Sequence, residues 1–118
     1  FLHPFYPKSE QTASWADEGA AALRVAYSVW PARAVREARD GLREMRDILP
    51  RINVPVLLMH SRDDLVVPSK HMDRIYERLG SIHKEKVLLE RGDHVITEDA
   101  DREFVFTRVA KFISTHTQ

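Results

Sequence analysis

Val54-Pro55-Val56-Leu57-Leu58-Met59-His60-Ser61-Arg62-Asp63-Asp64-Leu65-Val66-Val67-Pro68 is the stretch that decides the fold. Its first half, Val54 to His60, is short and almost wholly apolar, and a polar turn stops it. A strand with water on one face alternates apolar and polar residues, whereas a parallel strand buried on both faces does not. Proline is tolerated near the start of such a strand, which is where Pro55 falls. Downstream, Met72, Ile75, Tyr76 and Leu79 recur at steps of three and four. That spacing predicts an amphipathic helix with Ser69 as its cap and Gly80 as a left-handed stop. Lys86 to Glu90, centred on Val87-Leu88-Leu89, predicts a second strand. Asp99 or Asp101 then opens a last helix, with Val105, Val109, Phe112 and Ile113 facing inward. Strand, helix, strand, helix implies parallel strands joined by a right-handed crossover, an α/β architecture.

Upstream, Pro31 suits the first turn of a helix whose apolar face is Val35, Ala38, Leu42, Met45 and Leu49. Arg33, Arg36, Glu37, Arg43, Glu44 and Arg46 form its solvated side, and Pro50 and Pro55 bracket its exit. Trp15, Ala22, Leu23, Ala26, Tyr27 and Trp30 predict another helix from Ser14 to Trp30, with Gly19 as its weak point. Residues 1–12, with Pro4, Pro7, Phe1, Phe5 and Tyr6, read as an irregular segment that packs on something. Two parallel strands leave two open edges and cannot cover this many amphipathic helices. The architecture is therefore read as incomplete, and self-association through those edges is expected.

Composition narrows the function. Apolar residues make up 43% of the 118, enough for a packed core. Eighteen basic and eighteen acidic side chains cancel, so no net field favours nucleic acid or an anionic membrane. The absence of cysteine rules out disulfides and thiolate metal sites, and it fits a reducing cytoplasm. No apolar run reaches the length of a membrane span, and no leader-like segment is present. The chain opens Phe1-Leu2-His3 without an initiator methionine, which is read as truncation.

In parallel α/β sheets the ligand site lies beyond the carboxyl ends of the strands. Two loops occupy that end, Ser61 to Pro68 after the first strand and Arg91 to Thr97 after the second. Adjacent strands lie about 4.8 Å apart, so a carboxylate in one loop can meet His94 in the other. Such a pair is the acid–base half of a catalytic triad. The carboxylate fixes the imidazole tautomer, and the imidazole moves the nucleophile's proton. By residue type alone, Asp63 and Asp64 are both candidates, and either could be a turn residue. His60 reads as a structural hydrogen-bonding residue, and His3, His71, His83 and His116 as solvated surface. No HExxH or related spacing joins His60, Asp63, Asp64 and His94, so no metal is expected.

The Val54–Pro68 stretch resembles the acid-bearing segment of α/β-hydrolases: an apolar strand, His-Gly, two variable residues, the catalytic Asp, two more residues, then Val-Pro. Laid on that pattern, Ser61 stands where glycine is usual, Asp64 takes the catalytic position and Asp63 a variable one. Leu89-Glu90-Arg91-Gly92-Asp93-His94-Val95-Ile96-Thr97 looks like the family's histidine loop, which makes His94 the base. The His-Val-Ile-Thr form, with Ile75-Tyr76 in the intervening helix, is similar to bacterial carboxylesterases and monoacylglycerol lipases. The resemblance covers residues 31–118 as the C-terminal part of the hydrolase core, with residues 1–30 as a partial helical cap. It implies a serine carboxylic ester hydrolase acting on a small-molecule ester through an acyl-enzyme, without a cofactor. Phe1, Phe5, Trp15, Tyr27 and Trp30 are read as ordinary helix packing or as the lining of an acyl pocket.

The family's Gly-x-Ser-x-Gly elbow is absent, and no serine here sits between glycines in that way. In the family the elbow precedes the cap, so truncation accounts for its absence, and the chain alone is expected to be inactive. Two other readings stay open: a non-catalytic module that self-associates, and another α/β-hydrolase such as a thioesterase or dehalogenase.

Overall fold

The structure, a computed structural model, describes residues 4–8, 15–23, 25 and 27–117. Its centre is a parallel pair, β3 (Val56–Ser61) and β4 (Lys84–Leu89), connected by helix α3 (Lys70–Arg78). Val56 pairs with Lys84, and the register runs in step to Ser61 opposite Leu89. Both strands therefore end at the same level. The Arg62 N–H donates to the Leu89 carbonyl at 2.9 Å, and the Arg62 guanidinium grips Glu90 through bonds of 2.7 and 2.8 Å. The two following loops leave side by side.

α3 presents the face its spacing predicts: Met72 and the capping Leu79 are buried, Ile75 and Tyr76 half-buried. Its ends differ from expectation. Ser69 sits at the cap position but makes no side-chain cap bond, and the first turn closes earlier, from His71 N–H to the Pro68 carbonyl at 3.0 Å. At the other end Leu79 is extended and Gly80 does not turn left-handed; Gly92 is the residue with a positive φ among those described. Gly80 serves a close approach instead. Its N–H donates to the Leu49 carbonyl at 3.1 Å, and a Cβ there would lie 2.2 Å from the Pro50 carbonyl oxygen.

β4 begins at Lys84, earlier than its apolar centre predicts. A lysine is tolerated there because its ammonium donates to the free carbonyls at the end of α3, Tyr76 at 2.8 Å and Leu79 at 2.9 Å. It also lies 4.9 Å from the centre of the Tyr76 ring. β3 is half-buried from Val56 to His60 rather than fully buried on both faces, since no third strand flanks the pair among the described residues.

α2 (Ala32–Ile48) starts just after Pro31 and passes into a 3₁₀ turn over Leu49–Arg51, as the prolines predict. Leu49 is buried, whereas Leu42 and Val35 on the same face are 60% and 48% exposed, so that face stays largely uncovered. α4 (Arg102–His116) buries Val105 and half-buries Phe112, but leaves Val109 and Ile113 exposed.

The largest departure lies upstream. In place of one helix over 14–30 there is a short α1 (Glu18–Leu23), then β2 (Val29–Pro31), which pairs antiparallel with β1 (Phe5–Pro7). Ser14 and Ala26 of the expected helix lie outside the described residues. β-branched and aromatic Val29 and Trp30 suit a strand, and prolines are accepted at the edges of a two-stranded ribbon. Lys8 stacks 4.3 Å above the Trp30 ring, and the Pro4 carbonyl accepts the Ala32 N–H at 2.8 Å. The ribbon thereby pins the start of α2.

Gly80→Ala should destabilise the chain by about 2–3 kcal/mol, because backbone rather than a movable side chain blocks the methyl. Urea unfolding of the two proteins checks this.

Candidate active site

Asp64 follows β3 in a loop that folds back over it, and its side chain is only 3% exposed. Oδ1 accepts the N–H groups of Val66 at 2.8 Å and Val67 at 2.7 Å, an arrangement that fixes the carboxylate against the loop's own backbone. Oδ2 faces two imidazoles, His94 Nδ1 at 2.9 Å and His60 Nε2 at 3.1 Å. His60 Nε2 also lies 2.8 Å from the Val67 carbonyl. A carbonyl can only accept, so this nitrogen carries hydrogen and His60 supports the carboxylate as a donor. Burial pushes the Asp64 carboxyl upward. The Val67 N–H, His94 and the Val66 N–H together outweigh it and hold the group below the ordinary carboxylate range.

His94 sits beyond β4 on a tightly held turn. Gly92 takes φ +98°, a conformation that favours glycine. Its carbonyl accepts the Ser61 hydroxyl, and Ser61 is fully buried. Ser61 thus occupies the usual glycine position by bonding the end of β3 to the histidine loop. Buried Asp93 accepts the Leu65 N–H at 2.9 Å, so the residues beside His94 and Asp64 are themselves joined. Arg91 adds an outer tie through its guanidinium and N–H to Asp101.

The His94 ring is partly open, with 42% of the side chain exposed. With Nδ1 donating to Asp64, the lone pair resides on Nε2, which no described residue bonds. A ring nitrogen in that state can take a proton. Asp64 rather than Asp63 is the carboxylate that meets His94, and Asp63 lies exposed on the loop. His60 is the structural hydrogen-bonding residue expected, but strand spacing could not name its partners, because it cannot show that the following loop doubles back onto the strand end. His116 was read as surface, yet it is half-buried with its ring 4.3 Å from that of Phe112.

An open hollow of about 520 Å³ lies beside the histidine loop, lined by Ala20, Leu23, Val25, Val95 and Glu98. It is formed by α1 and small apolar residues rather than by the aromatics singled out above. Phe5, Tyr27 and Trp30 are exposed elsewhere, and Phe1 is outside the described residues. Among the described residues no cluster of three or more His, Cys, Asp or Glu could hold a metal, and no helix is long and apolar enough to cross a membrane.

Parallel strands with flanking helices, an acid loop after one strand and a histidine loop after the next make this part of an α/β-hydrolase fold. The chain belongs to the family described as serine aminopeptidase S33 (Hydrolase_4), which matches residues 22–101. It is 30% identical over 92 residues to the thermostable monoacylglycerol lipase of Bacillus sp. (strain H-257), a match over 78% of this chain and 37% of the relative. A solved structure from work on LipS and LipT, two metagenome-derived lipolytic enzymes, superposes with a TM-score of 0.86 at 32% identity. That match covers 98% of this chain and 45% of the other, so the chain spans less than half the length of these relatives.

Acid stability follows from the buried carboxylates. Asp64 and Asp99 both have folded-state values below the ordinary 3.8, so their contribution is present above that pH and lost as pH falls through the lowered values. Urea midpoints should therefore drop steeply below about pH 4. Asp64→Asn should make the acid-side slope shallower, by at most about 1.4 kcal/mol per pH unit for one proton. Midpoints measured at pH 7, 5, 4 and 3 check both.

Proposed function

We propose that this chain supplies the acid and base of a carboxylic ester hydrolase with a Ser-His-Asp triad, Asp64 as the acid and His94 as the base. The observation that carries this is the 2.9 Å contact between Asp64 Oδ2 and His94 Nδ1, with Nε2 left open. The serine belongs to a Gly-x-Ser-x-Gly elbow on a segment of the parent protein ahead of this chain, as residues 1–30 then form part of the cap and 31–118 the end of the core.

His94 Nε2 takes the proton of the serine hydroxyl as the oxygen attacks the ester carbonyl. The resulting imidazolium is stabilised by Asp64, which stays ionised throughout. The proton passes to the departing alcohol as the carbon–oxygen bond breaks, leaving an acyl-enzyme. Water repeats the sequence, losing a proton to His94, and the acid is released as the serine regains it. No cofactor is needed. The lipolytic relatives favour a monoacylglycerol or similar ester as the substrate, and the apolar wall of Leu23, Val25 and Val95 offers a medium or long acyl chain a surface. The 118 residues alone do not turn over esters under this reading.

The parent protein should react with a fluorophosphonate at one serine and should hydrolyse acyl esters faster than acyl thioesters or aminoacyl amides. His94→Ala should lower kcat by about 10⁴ or more while the fold persists. An open reading frame with no serine elbow ahead of residue 1 would sink the proposal, as would an undiminished rate in the variant.

A second, compatible reading rests on the open strand edges of the β3–β4 pair and the uncovered face of α2: the chain on its own pairs with a second copy. Light scattering of the 118-residue chain should show dimers or larger species growing with concentration. A strict monomer at high concentration counts against it.

A further inference from the structure

Asp99 is a buried charge that the proposed mechanism does not use. It is 1% exposed, and both carboxylate oxygens are filled by backbone N–H groups. Oδ2 accepts Asp93 at 2.9 Å and Ala16 at 3.3 Å, and Oδ1 accepts Asp17 at 2.8 Å and Ala100 at 2.8 Å. An acidic residue near the start of α4 would be explained by the helix's free N–H groups, yet none of the four donors belongs to α4; Ala100 is the next residue in the turn ahead of it. The other bonds come from different parts of the chain. Asp93 adjoins His94, whereas Ala16 and Asp17 lead into α1, more than eighty residues away in sequence.

We propose that Asp99 is a positioning residue that clamps the His94 loop to residues 16–17, so that the seating of this upstream segment sets where His94 stands. The proposal rests on the reading of His94 as the base. The connection is continuous. Asp17 accepts the Ala20 N–H at 3.1 Å, which holds the first turn of α1, and its other oxygen pairs with Arg102 at 2.7 Å. From Asp99 the path runs through the Asp93 N–H, then from the Asp93 carboxylate to the Leu65 N–H, beside Asp64. The turn is shaped for this carboxylate. Gly92 has φ +98°, and a Cβ there would lie 3.1 Å from Asp99 Oδ2.

The charge itself is needed. Burial raises the Asp99 carboxyl, and the Asp93, Ala100, Asp17 and Ala16 N–H groups together overcome it, so the group stays ionised. The charged neighbours are Arg102, whose guanidinium is held protonated chiefly by Asp17 with a smaller contribution from Asp99, together with Asp17 and Asp93. Asparagine has the same shape but only one acceptor oxygen. Its NH₂ would face two of the N–H donors, and those bonds would be lost.

The test uses the full 118-residue chain, with ring ¹⁵N shifts reporting the His94 tautomer and amide exchange reporting Ala16, Asp17, Asp93 and Ala100. In the wild type His94 should be held as the Nδ1–H form, and Asp64→Asn should release it to a mixture. Asp99→Asn should release it as well, with amide exchange at Ala16 and Asp17 about tenfold faster and the β3–β4 amides still protected. An Asp99→Asn protein that keeps the Nδ1–H form while Ala16 and Asp17 lose protection overturns the proposal, because Asp99 would then be a purely local anchor. Should Asp99→Asn not fold, wild-type exchange across a denaturant series decides. One shared opening for all four amides upholds the clamp, and independent opening of Ala16 and Asp17 from Asp93 overturns it. A wild type whose His94 tautomer ignores Asp64→Asn defeats the reading of the base, and the exchange arm still reports on the clamp.

Discussion

Everything at the site depends on β3 and β4 ending together. Ser61 pairs with Leu89, and the next residues are locked by the Arg62–Leu89 backbone bond and the Arg62–Glu90 ion pair. A side chain shortly after one strand end therefore meets one shortly after the other. A register slip of one residue would displace the loops by about 3.3 Å and turn their side chains to the opposite face. The 2.9 Å contact between Asp64 and His94 would not survive it.

Beyond that register, buried carboxylates hold the loops. Asp64, Asp93 and Asp99 each accept backbone N–H groups from segments that have no strand or helix partner. A buried charge is tolerated only when such bonds replace its water, and each loop conformation is in turn fixed by the acceptor it surrounds. The hydrophobic core alone could not do this. Among the described residues its buried apolar side chains are Leu49, Met72, Leu79, Leu89 and Val105, and much of α2 and α4 faces solvent.

The parallel pair, α3 and the stop of α2 were legible in the sequence, because apolar periodicity and proline positions report local structure directly. A carboxylate facing His94 was legible for the same reason, since each loop follows a recognisable strand, but only the family resemblance singled out Asp64 over Asp63. Less was legible where distant backbone decides. The β1–β2 ribbon needs residues 5–7 and 29–31 to find each other, and nothing local in Tyr27 to Trp30 excludes a helix. Gly80 looked like a left-handed stop, yet its small size answers to the Pro50 carbonyl, a neighbour thirty residues back in the chain. Asp99 looked like a helix-start acid because its partners at Ala16, Asp17 and Asp93 are invisible to spacing.

The family and its lipolytic relatives fix the fold of this chain, and the proposed acid–base pair would give that fold its chemistry. If Asp64 acts through His94, the two are one unit and their losses cannot add. The most direct measurement is a double-mutant cycle on kcat/KM of the parent protein with Asp64→Asn, His94→Ala and both together. The account predicts that the double variant is no slower than His94→Ala alone. Losses that simply add would mean that the carboxylate and the imidazole work independently, which would contradict it.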